Sequence, residues 1–244
     1  MTTIASPQNP RLKALRRLHT RRERARHGRF LAEGEDLLAA AERAGRPALE
    51  GYRLAGSGLG ESGFHDVEAP ALAGVSSLGS GTRVIGVYEQ RWGPAVGPLC
   101  VYLHGVGDPG NVGTVLRSAE AFGASCVALG PSCADPHGPK AVRASMGAIF
   151  SVTLARVGNV NELPGQRVAL VAGAGEPLRG EDGEHQPSLT LLVGAERDGL
   201  PEDVVAACDR VAHIPISSES LNAAMAATVA LYEMTRRPSR VPAS

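Results

Sequence analysis

From residue 99 onward, short segments that are apolar throughout alternate with longer segments of helical periodicity, and this alternation constrains the fold more than any other feature. The predicted strands are 99–103, 126–129, 168–171, 189–193 and 211–214, and the predicted helices are 111–122, 138–149, 201–208 and 220–236. Strands that are apolar on both faces are typical of a parallel sheet covered by helices on both sides. Because ligands of such sheets bind beyond the carboxyl ends of the strands, we expect the functional site in the loops that follow them.

The first part of the chain has a different pattern and predicts a separate, smaller α/β domain. Leu12, Leu15 and Leu18 recur at the spacing of an amphipathic helix, and short apolar segments that favour strands follow. A stretch rich in glycine and proline then interrupts all periodicity, which is typical of a linker. The predicted boundaries are 1–90 for the small domain, 91–98 for the linker and 99–244 for the parallel-sheet domain.

Positive charge is concentrated at the start of the chain, although the formal net charge of the whole protein is +0. Residues 1–29 contain nine Lys or Arg and one Glu, a local charge of +8, so the remaining 215 residues carry −8. A basic segment on an acidic body indicates a polyanionic partner, and a solvated helix face is the competing interpretation. The arginines of this segment predicted to contact that partner are Arg11, Arg16, Arg17, Arg21, Arg22 and Arg24.

Several classes of protein are disfavoured by what the sequence lacks. No apolar run approaches the length of a membrane span, and the basic N-terminus is not followed by the apolar core of a secretory signal. The four cysteines form no Cys-x-x-Cys pair, so neither a zinc site nor a disulfide scaffold is expected. We therefore expect a cytoplasmic protein that has no membrane partner and needs no metal.

One short motif points to a different enzyme class. Residues 105–110 read G-x-G-x-x-G between a predicted strand and a predicted helix, which alone indicates a dinucleotide site. Pro109 disfavours helix at Asp108, and Asn111 is a good N-cap, so we expect the helix to begin after the motif. The next predicted strand also ends without the acidic residue that would bind a ribose. An NAD-dependent enzyme is therefore a disfavoured alternative.

Three separated segments carry a more specific signal when they are taken together. They are DPGNVGTVLRSAEAFG at 108–123, LVGAERDGLP at 192–201, and IPI at 214–216 followed by SLNAAMAA at 220–227. In this order and spacing they resemble the three motifs of the SpoU/TrmH family of RNA 2′-O-ribose methyltransferases, in the SPOUT superfamily. Residues 135–148 and the N-terminal segment 6–34 are also similar to segments of that family, so the resemblance covers nearly the whole chain.

The resemblance implies a fold, an activity and partners. It implies a C-terminal domain with a deep trefoil knot, a small N-terminal domain with a ribosomal-protein-like fold that binds RNA, and assembly into a homodimer. S-adenosylmethionine is the implied methyl donor, no metal is required, and the acceptor is a ribose 2′-hydroxyl. The N-terminal domain favours ribosomal RNA as the substrate. A tRNA 2′-O-methyltransferase and a non-catalytic RNA-binding relative are the alternatives.

The resemblance also implies roles for individual residues. The implied donor-binding residues are Gly194, Ile214 and Leu221, and the implied catalytic residues are Asn111, Arg117, Glu196, Ser220 and Asn222. Arg143 is an implied RNA contact. Seen alone, Asn111 and Ser220 are adequately explained as helix caps, and Ile214 and Leu221 as packing residues. The segment 216–220 departs from many relatives because it contains no glycine.

Arg117 is the residue that the resemblance places at the 2′-hydroxyl. A guanidinium group with a pKa above ~12 does not ordinarily release its proton, so a role as general base is disfavoured. A bidentate contact with the neighbouring RNA phosphate fits the chemistry of arginine better. In that case a phosphate, a water molecule or another group receives the hydroxyl proton. We expect Arg117 to be essential for activity.

Overall fold

The computed structural model describes residues 3–77, 81–179, 188–218 and 220–236. The chain divides into two compact units, each with its own sheet and core. The first unit is Met1–Arg91 together with Asp135–Ser151, and the second is Trp92–Ala134 together with Val152–Ser244. None of the described helices is long and apolar enough to cross a membrane.

The first unit is a small α/β structure in which the sheet has mixed strand directions. Its elements are α1 (Pro10–Arg17), α2 (Arg21–His27), β1 (Arg29–Glu33), α3 (Glu35–Arg43), β2 (Glu50–Leu54), β3 (His65–Val67), α4 (Ala69–Ala73), β4 (Val84–Glu89), α6 (Pro139–Ala144) and a 3-10 turn (Ala148–Phe150). The strand order is β1-β4-β2-β3, with β4 antiparallel to both of its neighbours and β2 parallel to β3. Leu12, Leu15 and Leu18 are buried in its core, as their helical spacing predicts.

The segment Asp135–Ser151 packs in the first unit, although the sequence-based boundaries place it inside 99–244. The ring of Phe150 lies 4.8 Å from that of Tyr88 and 5.9 Å from that of Phe30, measured between centroids. This aromatic cluster joins residues that are far apart in the sequence, which is why a boundary drawn on local composition cannot anticipate it. The first unit therefore includes a piece of chain that follows the strand Cys126–Leu129 of the second.

The second unit has the parallel sheet that the sequence predicts. Its elements are β5 (Leu99–Leu103), α5 (Pro109–Ala121), β6 (Cys126–Leu129), β7 (Thr153–Arg156), a 3-10 turn (Val160–Glu162), β8 (Gln166–Leu170), β9 (Glu176–Pro177), β10 (Leu189–Val193), α7 (Glu202–Ala206), β11 (Arg210–His213) and α8 (Ala223–Thr235). Among the described residues seven strands lie in the order β7-β6-β5-β10-β8-β11-β9, and every pairing is parallel. The predicted α/β class with a parallel sheet is confirmed.

Helix α5 begins earlier than the sequence predicts. Asp108, not Asn111, is its N-cap: the Asp108 side chain accepts a hydrogen bond from the Asn111 backbone N–H at 3.0 Å. Pro109 occupies the first helical position, where a missing N–H costs nothing and the fixed φ suits a helix. The prediction that the helix starts after the glycine motif is therefore wrong, because its third glycine lies in the first turn of α5.

Helix α8 also has a different cap from the predicted one. Asn222 is the N-cap, and its side-chain oxygen accepts hydrogen bonds from the backbone N–H groups of Ala224 at 3.0 Å and Met225 at 3.2 Å. The prediction that Ser220 caps this helix is wrong for that reason. Helices α5 and α8 pack together, with a hydrogen bond of 2.6 Å between the hydroxyls of Ser118 and Thr228.

Candidate functional site

A pocket in the second unit lies beyond the carboxyl ends of three neighbouring strands, where a parallel sheet usually binds its ligand. Its walls come from the ends of β8 and β10, the segment after β11 and the start of α8. The predicted donor-binding residues Gly194, Ile214 and Leu221 all line it, together with Glu196 and Ser220. Residues from the second and third motifs therefore meet in one pocket. Glu219, within the glycine-free segment 216–220, lies outside the described residues.

The residue at position 194 must be glycine because neighbouring backbone approaches it closely. A Cβ at this position would lie 2.1 Å from the carbonyl carbon of Gly199 and 2.4 Å from the backbone nitrogen of Leu200. The loop between them is closed by two backbone hydrogen bonds between Ala195 and Gly199, of 3.1 and 2.9 Å. Only glycine permits this approach without moving backbone, so Gly194 allows the loop to fold tightly against the pocket wall.

Three polar residues from the three motifs form one hydrogen-bonded cluster at the pocket. The amide nitrogen of Asn111 donates to Oε1 of Glu196 at 2.6 Å, and the amide nitrogen of Asn222 donates to the same oxygen. The Asn222 amide nitrogen also donates to Oδ1 of Asn111 at 3.2 Å. Since one carboxylate oxygen holds both amides, Glu196 fixes the orientation of the two asparagines relative to each other.

The helix cap determines how the Asn222 amide is oriented. Two backbone N–H groups of α8 point at its side-chain oxygen, and an amide nitrogen there would place donor against donor. The Asn222 nitrogen must therefore face Glu196 and Asn111. Oε2 of Glu196 accepts no hydrogen bond from any residue that the structure describes, and it is available to a ligand donor.

Arg117 is not brought into this cluster. It lies on α5, and the rise of a helix places its Cα about 9 Å along the axis from that of Asn111. Its side chain is exposed and forms no hydrogen bond or ion pair with the described residues. Ser220 lines the pocket but is not hydrogen-bonded to the cluster in the described part of the chain. The cluster thus unites Asn111, Glu196 and Asn222 and leaves Arg117 separate.

In the first unit, Arg24 requires a correction to the predicted RNA contacts. Its side chain is only 5% exposed and donates two hydrogen bonds to Oδ2 of Asp135, at 2.9 and 2.7 Å. It also donates to the backbone carbonyls of Leu18 and His19, both at 2.8 Å. Because the guanidinium is buried and each of its three nitrogens donates a hydrogen bond within the protein, it cannot contact RNA in this structure.

Burial alone would raise the pKa of Asp135, but hydrogen bonds from His137 and Arg24 together with the charge of Arg24 outweigh it and lower that pKa. The carboxylate therefore stays ionised at neutral pH and keeps its partner in place.

The other predicted RNA contacts differ in how free their side chains are. The side chains of Arg17, Arg21, Arg22 and Arg143 are exposed and form no hydrogen bond with the described residues. Arg11 lies 2.5 Å from Nε2 of His65, measured from Nη1, and Arg16 donates to the carbonyl of Pro7 at 2.6 Å.

Sequence reasoning missed the role of Asp108, which caps α5 and thereby leaves the amide of Asn111 available to Glu196. The signal was present, since a proline favours the first helical position and the residue before it is then the expected cap.

Among the described residues no group of three or more His, Cys, Asp or Glu is arranged to hold a metal ion.

Fold and site together define an α/β protein of the parallel-sheet class, with a ligand pocket at the carboxyl edge of the sheet and an amide–carboxylate cluster beside it. Residues 98–232 match the SpoU rRNA methylase family, so the chain belongs to this family. Residues 9–56 match the MRM3-like substrate binding domain.

Similar proteins extend over nearly the full length of the chain. An uncharacterized tRNA/rRNA methyltransferase of Synechocystis is 30% identical over 97% of this chain and 94% of its own length. The 23S rRNA (guanosine(2553)-2′-O)-methyltransferase RlmP of Bacillus subtilis is 28% identical over 96% of this chain and 99% of its own. The crystal structure of an AdoMet-bound rRNA methyltransferase from Sinorhizobium meliloti superposes with a TM-score of 0.84 at 29% identity, covering 95% of this chain and 96% of that one.

Proposed function

We propose that this protein transfers a methyl group from S-adenosylmethionine to a ribose 2′-hydroxyl of ribosomal RNA. The observation that carries the proposal is the convergence of three distant segments on one pocket at the carboxyl edge of the parallel sheet. Relatives of nearly the same length include a named 23S rRNA 2′-O-methyltransferase, and a solved relative has AdoMet bound. Those relatives favour ribosomal RNA over transfer RNA as the substrate.

The residues of the pocket fit a nucleoside methyl donor. Ile214 and Leu221 offer apolar surface to a flat ring, and the tight loop at Gly194 presents backbone groups that can hydrogen-bond to a ligand. Oε2 of Glu196 adds an acceptor for a hydroxyl or an ammonium group. When bound, the donor supplies an electrophilic methyl group on a cationic sulfur.

In this proposal, residues of the protein bind and orient the ribose that accepts the methyl group. The 2′-oxygen forms the new bond to the methyl carbon, the carbon–sulfur bond breaks with its electrons going to sulfur, and the hydroxyl proton must leave. Glu196 orients the amides of Asn111 and Asn222 toward the reacting groups. Arg117, which has no partner among the described residues, is free to grip an RNA phosphate beside the hydroxyl while phosphate or water takes the proton.

The first unit supplies the RNA-binding surface in this proposal. Its segment 9–56 matches a substrate binding domain, and the exposed arginines Arg17, Arg21, Arg22 and Arg143 carry positive charge on its surface. We propose 1–90 and 99–244 as the functional domains, joined by the linker 91–98. Residues 135–151 belong to the second of these by sequence but pack in the first unit. A cytoplasmic location belongs to the same proposal, because the proposed substrate is ribosomal RNA.

Assembly as a homodimer belongs to the same proposal. Met225, Val229 and Tyr232 are 59%, 41% and 55% exposed and follow one another along one stripe of α8. An apolar stripe of this kind favours association with a matching surface, and a two-fold symmetric contact lets one stripe meet another. Val229→Asp should therefore convert a dimer into a monomer in light scattering. A monomeric wild-type protein would contradict this part of the proposal.

The activity is tested by transfer of a labelled methyl group from S-adenosylmethionine to purified ribosomal RNA and to transfer RNA, followed by mapping of the ribose methylation. Label in ribosomal RNA is the expected result. Label in transfer RNA alone would favour the tRNA alternative, and donor binding without transfer to either RNA would favour a non-catalytic relative.

Arg117→Ala and Arg117→Lys test the site directly. Both variants should bind the donor like wild type and melt at the wild-type temperature, because Arg117 is exposed and unpaired in the described part of the structure. Alanine should abolish transfer, and lysine should restore only a small part, since an ammonium group cannot make the bidentate contact. Wild-type transfer by the alanine variant would remove Arg117 from the mechanism.

A further inference from the structure

A second concave site lies wholly within the first unit, between helix α1 and the faces of β1, β2 and β4. Its cavity has a volume of about 490 Å³. Leu15, Leu18 and Val87 form an apolar floor. Cavities that bind small ligands commonly have about 300–1,000 Å³ and a mostly apolar lining with a few polar groups. The groove therefore has the size and the floor of a ligand site.

The rim of this groove is cationic. Arg11, Arg17, Arg29 and His27 line it, and the carboxylate of Glu50 is the acidic group among the lining residues. Three guanidinium groups therefore face one carboxylate at the rim. An apolar floor with a cationic rim is complementary to a nucleotide, whose base is flat and weakly polar and whose phosphate is anionic.

Glu50 is held in place at the groove and keeps one oxygen available. Its Oε2 accepts a hydrogen bond from the hydroxyl of Tyr52 at 2.7 Å, whereas among the described residues Oε1 has only a long ion pair of 3.8 Å with Arg29. Burial, followed by the hydrogen bond to Glu50, raises the pKa of Tyr52, so the phenol stays a neutral donor. A carboxylate oxygen in this position accepts from the amino group of cytosine but meets a repelling carbonyl on uracil.

We infer that this groove binds one unstacked nucleotide of single-stranded substrate RNA, with the base on the apolar floor, the phosphate against Arg17 and Arg29, and an amino group of the base at Glu50. The inference rests on the proposed function, because it assigns the groove to the same RNA. Bases in a duplex are stacked and paired, so a concave site of this size selects single-stranded or looped RNA.

The test uses the full-length protein and fluorescein-labelled RNA in anisotropy titrations. The probes are hexacytidylate, hexauridylate and a 12-base-pair RNA duplex. Ala14 is exposed and lines the groove, so Ala14→Trp fills it, whereas Ala25→Trp places the same side chain on an exposed position of α2 outside it. Ala14→Trp should weaken hexacytidylate binding by about tenfold or more, and Ala25→Trp by less than about twofold.

Matched arginine variants distinguish RNA binding at the groove from nonspecific electrostatic attraction to the protein surface. Arg17→Ala and Arg29→Ala should each reduce the salt slope of hexacytidylate binding by about 0.7, the value for one phosphate contact on a single strand. Arg43→Ala removes the same charge from an exposed position that does not line the groove, and it should leave the slope unchanged. Glu50→Gln should abolish the preference for hexacytidylate over hexauridylate.

Two results would overturn the inference. One is an Ala14→Trp variant that binds hexacytidylate like wild type; the other is an equal loss in all three arginine variants, which would mean attraction without a site. Donor binding by calorimetry distinguishes this failure from failure of the proposed function. If wild type binds S-adenosylmethionine and methylates ribosomal RNA while the groove variants are neutral, the groove assignment and the RNA contact of Arg17 are lost and the proposed activity stands.

Discussion

Replacing Gly194 by alanine is the most direct test of how the pocket is built. The added Cβ would lie 2.1 Å from the carbonyl carbon and 2.2 Å from the carbonyl oxygen of Gly199, and 2.4 Å from the nitrogen of Leu200. All three atoms belong to the backbone, so no side-chain rotation relieves the overlap. The loop from 195 to 199 must move away from the pocket wall.

The size of the effect follows from the bonds that close this loop. Ala195 and Gly199 exchange two backbone hydrogen bonds, of 3.1 and 2.9 Å. Each such bond contributes about 0.5–1.5 kcal/mol, so breaking both lowers the free energy that holds the loop in its ordered conformation by about 1–3 kcal/mol. If the donor must restore this order when it binds, its affinity falls by about 5- to 150-fold, since 1.4 kcal/mol corresponds to a factor of ten.

Isothermal titration calorimetry with S-adenosylmethionine measures this loss, and a melting curve checks that the variant is folded. Gly158→Ala is the matched control, because a Cβ at Gly158 meets nothing within 4 Å and its φ is not in the left-handed region. The control should bind like wild type. A Gly194→Ala variant that binds the donor within about twofold of wild type would refute the argument that the tight loop shapes the pocket.

Three further perturbations test the polar clusters. Glu196→Gln keeps the size of the side chain but removes its charge, which weakens its hydrogen bonds to the two asparagine amides. At about 1 kcal/mol lost for each of these two contacts at this exposed site, methyl transfer in steady-state assays should fall about 30-fold. An unchanged rate would contradict this prediction. Arg24→Met leaves Asp135 buried without its partner and should cost about 3–5 kcal/mol in urea unfolding, against almost nothing for the exposed Arg22→Met. The lowered pKa of Asp135 contributes stability that is present above about pH 4 and is lost as the pH falls below that value, so Asp135→Asn should flatten the acid limb of the unfolding free energy between pH 2 and 5.

The parallel sheet was predictable because burial on both faces leaves a continuous apolar run in the sequence. β5, β6 and β10 have the predicted bounds, and β8 and β11 differ by one or two residues. The strands that the pattern missed lie at the two edges of the sheet. β7 ends in an exposed Arg156, and both residues of β9 are exposed, so neither has an apolar run to detect.

The helix starts were harder to predict because several capping residues stand close together. Asp108 competes with Asn111 at α5, and Ser220 competes with Asn222 at α8. Asp, Asn and Ser have nearly equal preferences for the N-cap position, so backbone geometry determines which residue caps each helix. The outcome matters for the site. If Asn111 were the cap, its side-chain oxygen would serve the helix, whereas in the structure the whole amide is available to Glu196 and Asn222.

The resemblance named the members of the polar cluster, but local sequence patterns contain no information about their contacts. Asn111 lies 85 residues from Glu196 and 111 residues from Asn222 along the chain. Only the order of strands in the sheet brings them to one edge. The knot remains a prediction for a related reason, since strand order alone does not say how the chain passes through itself.

The basic N-terminal segment shows why a local charge is not a count of RNA contacts. Residues 1–29 carry +8 by themselves, but Arg24 is buried against Asp135, so the segment taken together with that partner carries +7. A buried pair is nearly neutral at a distance and releases no counterions when RNA binds. The salt slope of RNA binding must therefore reflect the exposed arginines and not the formal total. Because the partner of Arg24 lies 111 residues further along the chain, only the tertiary structure separates this structural arginine from its exposed neighbours.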